Sequence, residues 1–141
     1  MVESISRIDQ KMEMEIVTKS FRMWLDDHGI VTVVSFLRSE GTIEDSKESL
    51  AALLKISGGK KRPVFVNPDR QKSITREARI YSIKNAPDVA TAVAILITSP
   101  VMQIIANFLI GMNKTINNGN FPLKFFTSEK KAIEWLKQYI N

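Results

Sequence analysis

Ala92-Val93-Ala94-Ile95-Leu96-Ile97-Thr98-Ser99-Pro100 is the stretch on which the fold turns. It lies inside a run, Val89 to Asn113, that carries no charged side chain and would be long enough to cross a bilayer as one helix. Thr98-Ser99-Pro100 breaks that reading in two. Before the break, six residues rich in β-branched side chains read as a strand buried on both faces. After it, Ser99 suits a helix N-cap and Pro100 the first helical position. The run is therefore a strand followed by a helix, and no membrane span is expected.

The same alternation continues on both sides. Upstream, Met12, Met14 and Ile16 alternate with Glu13 and Glu15, and Phe21, Met23 and Leu25 alternate with polar or amphipathic neighbours. Asp26-Asp27-His28-Gly29 is turn chemistry, and Ile30 to Leu37 forms a second β-branched run, so the chain opens as an antiparallel hairpin or meander. Thr42 with Asp45 predicts a capped helix whose stripe is Leu50, Leu53 and Leu54, stopped by Gly58-Gly59. Pro63 to Val66 is a short strand. A helix from about Ile74 to Lys84 follows, ended by Ala86-Pro87. Downstream, the Pro100 helix closes at Gly111, Lys114 to Asn120 is a polar loop, and Phe121 to Phe126 is a strand. Thr127-Ser128 caps a last helix on Ala132, Trp135, Leu136, Tyr139 and Ile140. The expected fold is α/β: a mixed sheet with an N-terminal antiparallel hairpin followed by β-α-β-α-β-α crossovers. A single domain over residues 12–141 is expected, with residues 1–11 as a lead-in.

Composition bounds the function. The chain has 141 residues, 44% hydrophobic and 25% charged, which suits one soluble domain with its own core. It contains no cysteine, which removes disulfides, thiol nucleophiles and cysteine metal sites and fits a reducing compartment. Met1-Val2-Glu3-Ser4 lacks the basic-then-apolar pattern of a signal peptide, so a cytoplasmic location is expected. The net charge of +5 permits attraction to anions, but lysines scattered over a solvated surface account for it, and nucleic acid is not an expected partner. His28 is the single histidine and sits in a turn. No serine has an evident base partner, and the carboxylate pairs Glu13/Glu15 and Asp26/Asp27 are not brought together by any pattern. No catalytic residue, metal site or cofactor is expected.

Two places remain. The loop from Asn67 to Arg76 follows the carboxyl end of a strand, where ligands collect in open α/β sheets. If Ser73 opens the next helix, its amides together with Arg70, Lys72 and Arg76 form an anion site; otherwise Ser73 is a cap and the cations face water. The Pro100 helix is apolar around most of its circumference, with only Gln103 and Asn107 polar on one edge. An ordinary surface helix has a stripe of a little over 100°. Met102, Ile105, Phe108, Leu109 and Met112 are therefore marked as a surface for a second copy, another protein or an apolar ligand, unless more of this chain covers them.

Several runs carry a resemblance. They are Arg22-Met23-Trp24-Leu25 with Asp27-His28-Gly29-Ile30, Gly59-Lys60-Lys61-Arg62-Pro63-Val64, and Ser73-Ile74-Thr75-Arg76-Glu77-Ala78-Arg79. Ile110-Gly111-Met112-Asn113-Lys114 and Phe125-Phe126-Thr127-Ser128-Glu129 complete the set. With the element order, they make the chain from about residue 12 onward resemble the STAS family, the fold of anti-sigma-factor antagonists, and its STAS-like or CRAL-TRIO-like bacterial relatives. The resemblance implies a non-enzymatic regulatory or protein-interaction module, here expected as a homodimer, or else a carrier or sensor of a small apolar or anionic ligand. In STAS antagonists a kinase phosphorylates a serine within an Asp-Ser-Ser-Gly type motif. Ser73 holds the matching place by element order, and the motif around it is absent.

Overall fold

Asp26 sets the turn between the second and third strands. Its Oδ1 accepts from the backbone N–H groups of His28 at 2.8 Å and Ile30 at 3.0 Å, and Gly29 takes φ +86°, a conformation that suits glycine. In a computed structural model, which describes residues 15–36, 40–69 and 73–140, that turn joins β2 (Phe21–Leu25) to β3 (Val31–Ser35). β1 (Glu15–Val17) pairs antiparallel with β2, so the opening is a three-stranded meander. Met12 and Met14 of the expected first strand lie outside the described residues.

Thr42 then starts α1 (Ile43–Ile56) with a full capping box: Thr42 accepts from the Asp45 N–H, and the Asp45 carboxylate accepts from the Thr42 N–H at 2.8 Å. Gly58 and Gly59, at φ +66° and +79°, end it as the sequence predicts. β5 (Arg62–Asn67), α2 (Arg76–Val89), β7 (Ala90–Leu96), α3 (Pro100–Ile116), β8 (Leu123–Phe126) and α4 (Glu129–Leu136) follow, with a 3₁₀ turn at Lys137–Tyr139. Ser99 and Ser128 cap α3 and α4 through their hydroxyls. Two further short strands, β4 (Glu40–Gly41) and β6 (Ser73–Ile74), form a separate parallel ladder.

The main sheet runs β1-β2-β3-β5-β7-β8, antiparallel through β3 and parallel from β3 to β8. The parallel strands advance in one direction only. With crossovers of one hand, that order sends α1, α2 and α3 to the same face of the sheet. The core shows this arrangement. Ala52, Leu53 and Ile56 of α1 pack on Phe21, Met23, Val31, Val33 and Val64, while Ile83 of α2 packs with Met102, Ile105 and Leu109 of α3. The opposite face is covered by α4, where Ala132 and Leu136 meet Ile30, Phe65, Ala92 and Ala94.

Four local expectations need correction. α2 does not stop at Ala86-Pro87 but runs through Pro87 to Val89. A proline there cannot donate to the Ile83 carbonyl four residues back, and that acceptor is taken instead by Asn117 Nδ2 at 3.0 Å. α3 does not close at Gly111. A Cβ at that position would meet open space, and the helix continues through Lys114 and Thr115 to Ile116, where Asn117, Asn118 (φ +55°) and Gly119 (φ +69°) turn the chain. Ser73 is not the cap of α2; Thr75 is, accepting from the Ala78 N–H at 3.1 Å. Leu54, expected in the buried stripe of α1, is exposed.

Candidate functional site

Helical spacing decides what α1 and α2 turn toward the sheet. On α1, Asp45, Ser46, Ser49, Leu50 and Leu53 fall on one face; on α2, Arg79, Ser82, Ile83 and Ala86 do. Those faces carry small or hydroxylated side chains where a filled core would carry leucine or isoleucine. Ser82 Oγ donates to Ser46 Oγ at 3.1 Å, and Ser46 Oγ donates to the Ala78 carbonyl at 3.4 Å, which knits the two helices together. What is left between helices and sheet is a cavity of about 200 Å³.

Its floor is the sheet, with Phe21, Met23, Val33, Val64 and Val66 among the lining residues. Leu109 of α3 and Phe121 and Leu123 around the start of β8 close one side, and Gly41 and Ile74 of the β4–β6 ladder lie at the other. The walls are predominantly apolar, and the polar groups are few: serine hydroxyls, Thr42, Asp45 and Arg79. This is the common make-up of a small-molecule site, apolar surface with a few placed polar groups. A second depression beside β8, between Lys114, Lys124, Trp135 and Tyr139, is larger, at about 430 Å³, and more open to solvent.

Of the expected anion site, Ser73 and Arg76 fall among the described residues, and Ser73 does not open the helix. Its hydroxyl donates to Glu40 Oε2 at 3.2 Å, two residues ahead of the true cap, so a carboxylate already stands where an anion would bind. Arg76 is exposed, and Arg70 and Lys72 lie outside the described residues. The Asn67–Arg76 loop does reach the cavity, through Ile74.

The apolar surface expected on the Pro100 helix is divided differently from the expectation. Met102, Ile105 and Leu109 are buried within their own chain, and Phe108 and Met112 are half-buried against the same cluster. The reason is topological: α3 lies on the three-helix face, so its inner side meets α2 and β8. Its free side carries Val101, Ile104 and Ile110 beside exposed Gln103, Asn107 and Lys114, with Ile104 70% exposed. His28 is exposed and bonded through its backbone in the hairpin turn. Among the described residues no three acidic or histidine side chains gather as a metal would need, and no helix is long and apolar enough to cross a membrane.

The model of the family described as Domain of unknown function (DUF7793) matches residues 23–140. The chain belongs to that family. The matched span begins within β2 and takes in every later strand and helix that borders the cavity, while the lining residues Ser20 and Phe21 lie just before it. No curated protein and no solved structure matches the chain.

Sequence reasoning missed the cavity and Arg79. The signal was present: Arg79, Ser82, Ile83 and Ala86 recur at i, i+3, i+4 and i+7, which puts an arginine in line with the apolar face of α2. Reading Ile74, Ala78 and Tyr81 as the buried face shifted the stripe and hid it.

Proposed function

We propose that this chain is a non-enzymatic regulatory module of the STAS-like kind, working in the cytoplasm, that carries or senses a small, mainly apolar ligand held between its sheet and its three-helix layer. The observation that supports this reading is the cavity itself. A space of about 200 Å³ lined by apolar side chains is larger than the roughly 150 Å³ that suffices to take up benzene. Close packing is the rule in protein interiors, so serines and an alanine at core-facing helical positions forgo stability that leucines would supply. A binding role accounts for that choice.

Thermal unfolding against a panel of apolar and amphiphilic compounds tests the proposal. A ligand of the right size at a hundred times its Kd stabilises the folded state by about 2.7 kcal/mol, which raises the Tm by about 5–11 °C in a domain near this size. No saturating rise with any compound of about six to ten carbons overturns the reading.

Self-association is a second reading, favoured by Val101, Ile104 and Ile110 on the free side of α3. Light scattering at micromolar concentration then reports a dimer that Ile104→Glu dissociates. A monomer at all concentrations removes it.

A further inference from the structure

Among the described residues that line the cavity, Arg79 is the one cation. Its guanidinium carbon lies 4.1 Å from the centre of the Phe108 ring, a cation–π contact that supplies no lone pair. Its Nε is buried and has no hydrogen-bond partner. The ion pairs formed among the described residues are Arg22 with Glu15 and Lys47 with Glu44, and neither involves Arg79. Arg79 is half-buried overall, and its shielded Nε without an acceptor carries a cost that is removed when an acceptor arrives with the ligand.

The other polar groups at the cavity do not supply that acceptor. Asp45 lines the same space, but its Oδ2 accepts from the Thr42 N–H at 2.8 Å and from Thr42 Oγ1 at 3.1 Å, while its Oδ1 accepts from Ser20 Oγ at 3.4 Å. The hydroxyls of Ser46 and Ser82 are directed to the Ala78 carbonyl and to each other. Ser35 and Ser49 add two further hydroxyls to the lining, and the remaining described walls are apolar.

We infer that the ligand is a monocarboxylate with an apolar tail of about six to ten carbons, its head group paired with Arg79 and its tail lying along the sheet floor. The inference rests on the ligand-binding reading above and adds the ligand's charge and its anchoring residue. A planar guanidinium held against a ring presents parallel N–H groups that match a carboxylate.

Isothermal calorimetry with octanoate and 1-octanol separates the inference from the reading beneath it. The unaltered protein is expected to bind octanoate about tenfold or more tightly than octanol, and Arg79→Gln to abolish that preference while leaving octanol affinity in place. Arg79→Lys keeps the charge and recovers part of the preference. Across shorter carboxylates, affinity rises about fourfold per methylene until the cavity is full. Equal binding of octanoate and octanol, or a preference that survives in Arg79→Gln, overturns the anchoring role and leaves the cavity as a neutral apolar site. Binding of neither compound to the unaltered protein overturns both. Circular dichroism and a Tm no lower than that of the unaltered protein establish that Arg79→Gln is folded.

Discussion

Filling the cavity floor tests whether the space between sheet and helices persists in solution. Val33 and Val64 are buried on adjacent strands and both line the cavity; Val33 pairs with Met23 and Val66, and Val64 with Val31 and Val93. Isoleucine at either position keeps the β-branch that suits a strand and adds one methylene to that space. Each substitution is expected to stabilise by about 0.8 kcal/mol, and the pair by about 1.6 kcal/mol if they act independently. The Tm should then rise by about 3–6 °C, with an unchanged m-value in urea. In an already filled core the same change would overpack and destabilise by about 1–3 kcal/mol. A fall in Tm for both single variants would therefore refute the reasoning that the cavity is real.

Three further outcomes check the surrounding structure. Ile105→Glu should destabilise the domain by more than about 4 kcal/mol, since Ile105 is buried in the α2–α3 cluster, whereas Ile104→Glu should leave the monomer's unfolding free energy within about 0.5 kcal/mol; urea titration followed by circular dichroism distinguishes them. Asn117→Ala should cost about 1–3 kcal/mol by leaving the Ile83 carbonyl without its donor, and Asn113→Ala a similar amount, because buried Asn113 donates to the Phe121 carbonyl at 2.9 Å. Since Asn117 Nδ2 also donates to Asn113 Oδ1 at 2.9 Å, the double variant should cost less than the two single losses added together. Thr75→Ala should cost about 1 kcal/mol as a lost cap, and Ser73→Ala less than about 0.5 kcal/mol; the reverse order would return the start of α2 to Ser73.

The elements were legible because their signals are local. Thr42 with Asp45, Ser99 with Pro100, and Ser128 each satisfy amides within the next turn, so the helix starts they mark could be read directly. β-branched alternation placed the meander and the buried strand in the same way. The misreadings arise where a distant residue decides. Pro87 looks like a terminator until Asn117, thirty positions later, supplies the donor that proline lacks. Gly111 looks like a stop until the fold leaves its side open and the helix passes through. The apolar excess of the Pro100 helix was real, but which part of it faces inward depends on the one-way strand order that stacks three helices on one face. A cavity is the least local feature of all, because it is the volume that neighbouring elements fail to fill. Its only trace in the sequence was Arg79 with Ser82 and Ala86 on the inner stripe of α2, and serines on that of α1.

The most direct measurement is a methyl-labelled NMR titration of the protein with 1-octanol. Binding in the cavity predicts saturable shifts at the methyl groups of Val33, Leu53, Val64, Ile83 and Leu109, which line it, while Val101 and Ile104 on the free side of α3 stay in place. Shifts confined to Val101 and Ile104, or shifts that never saturate at the lining residues, would contradict the account.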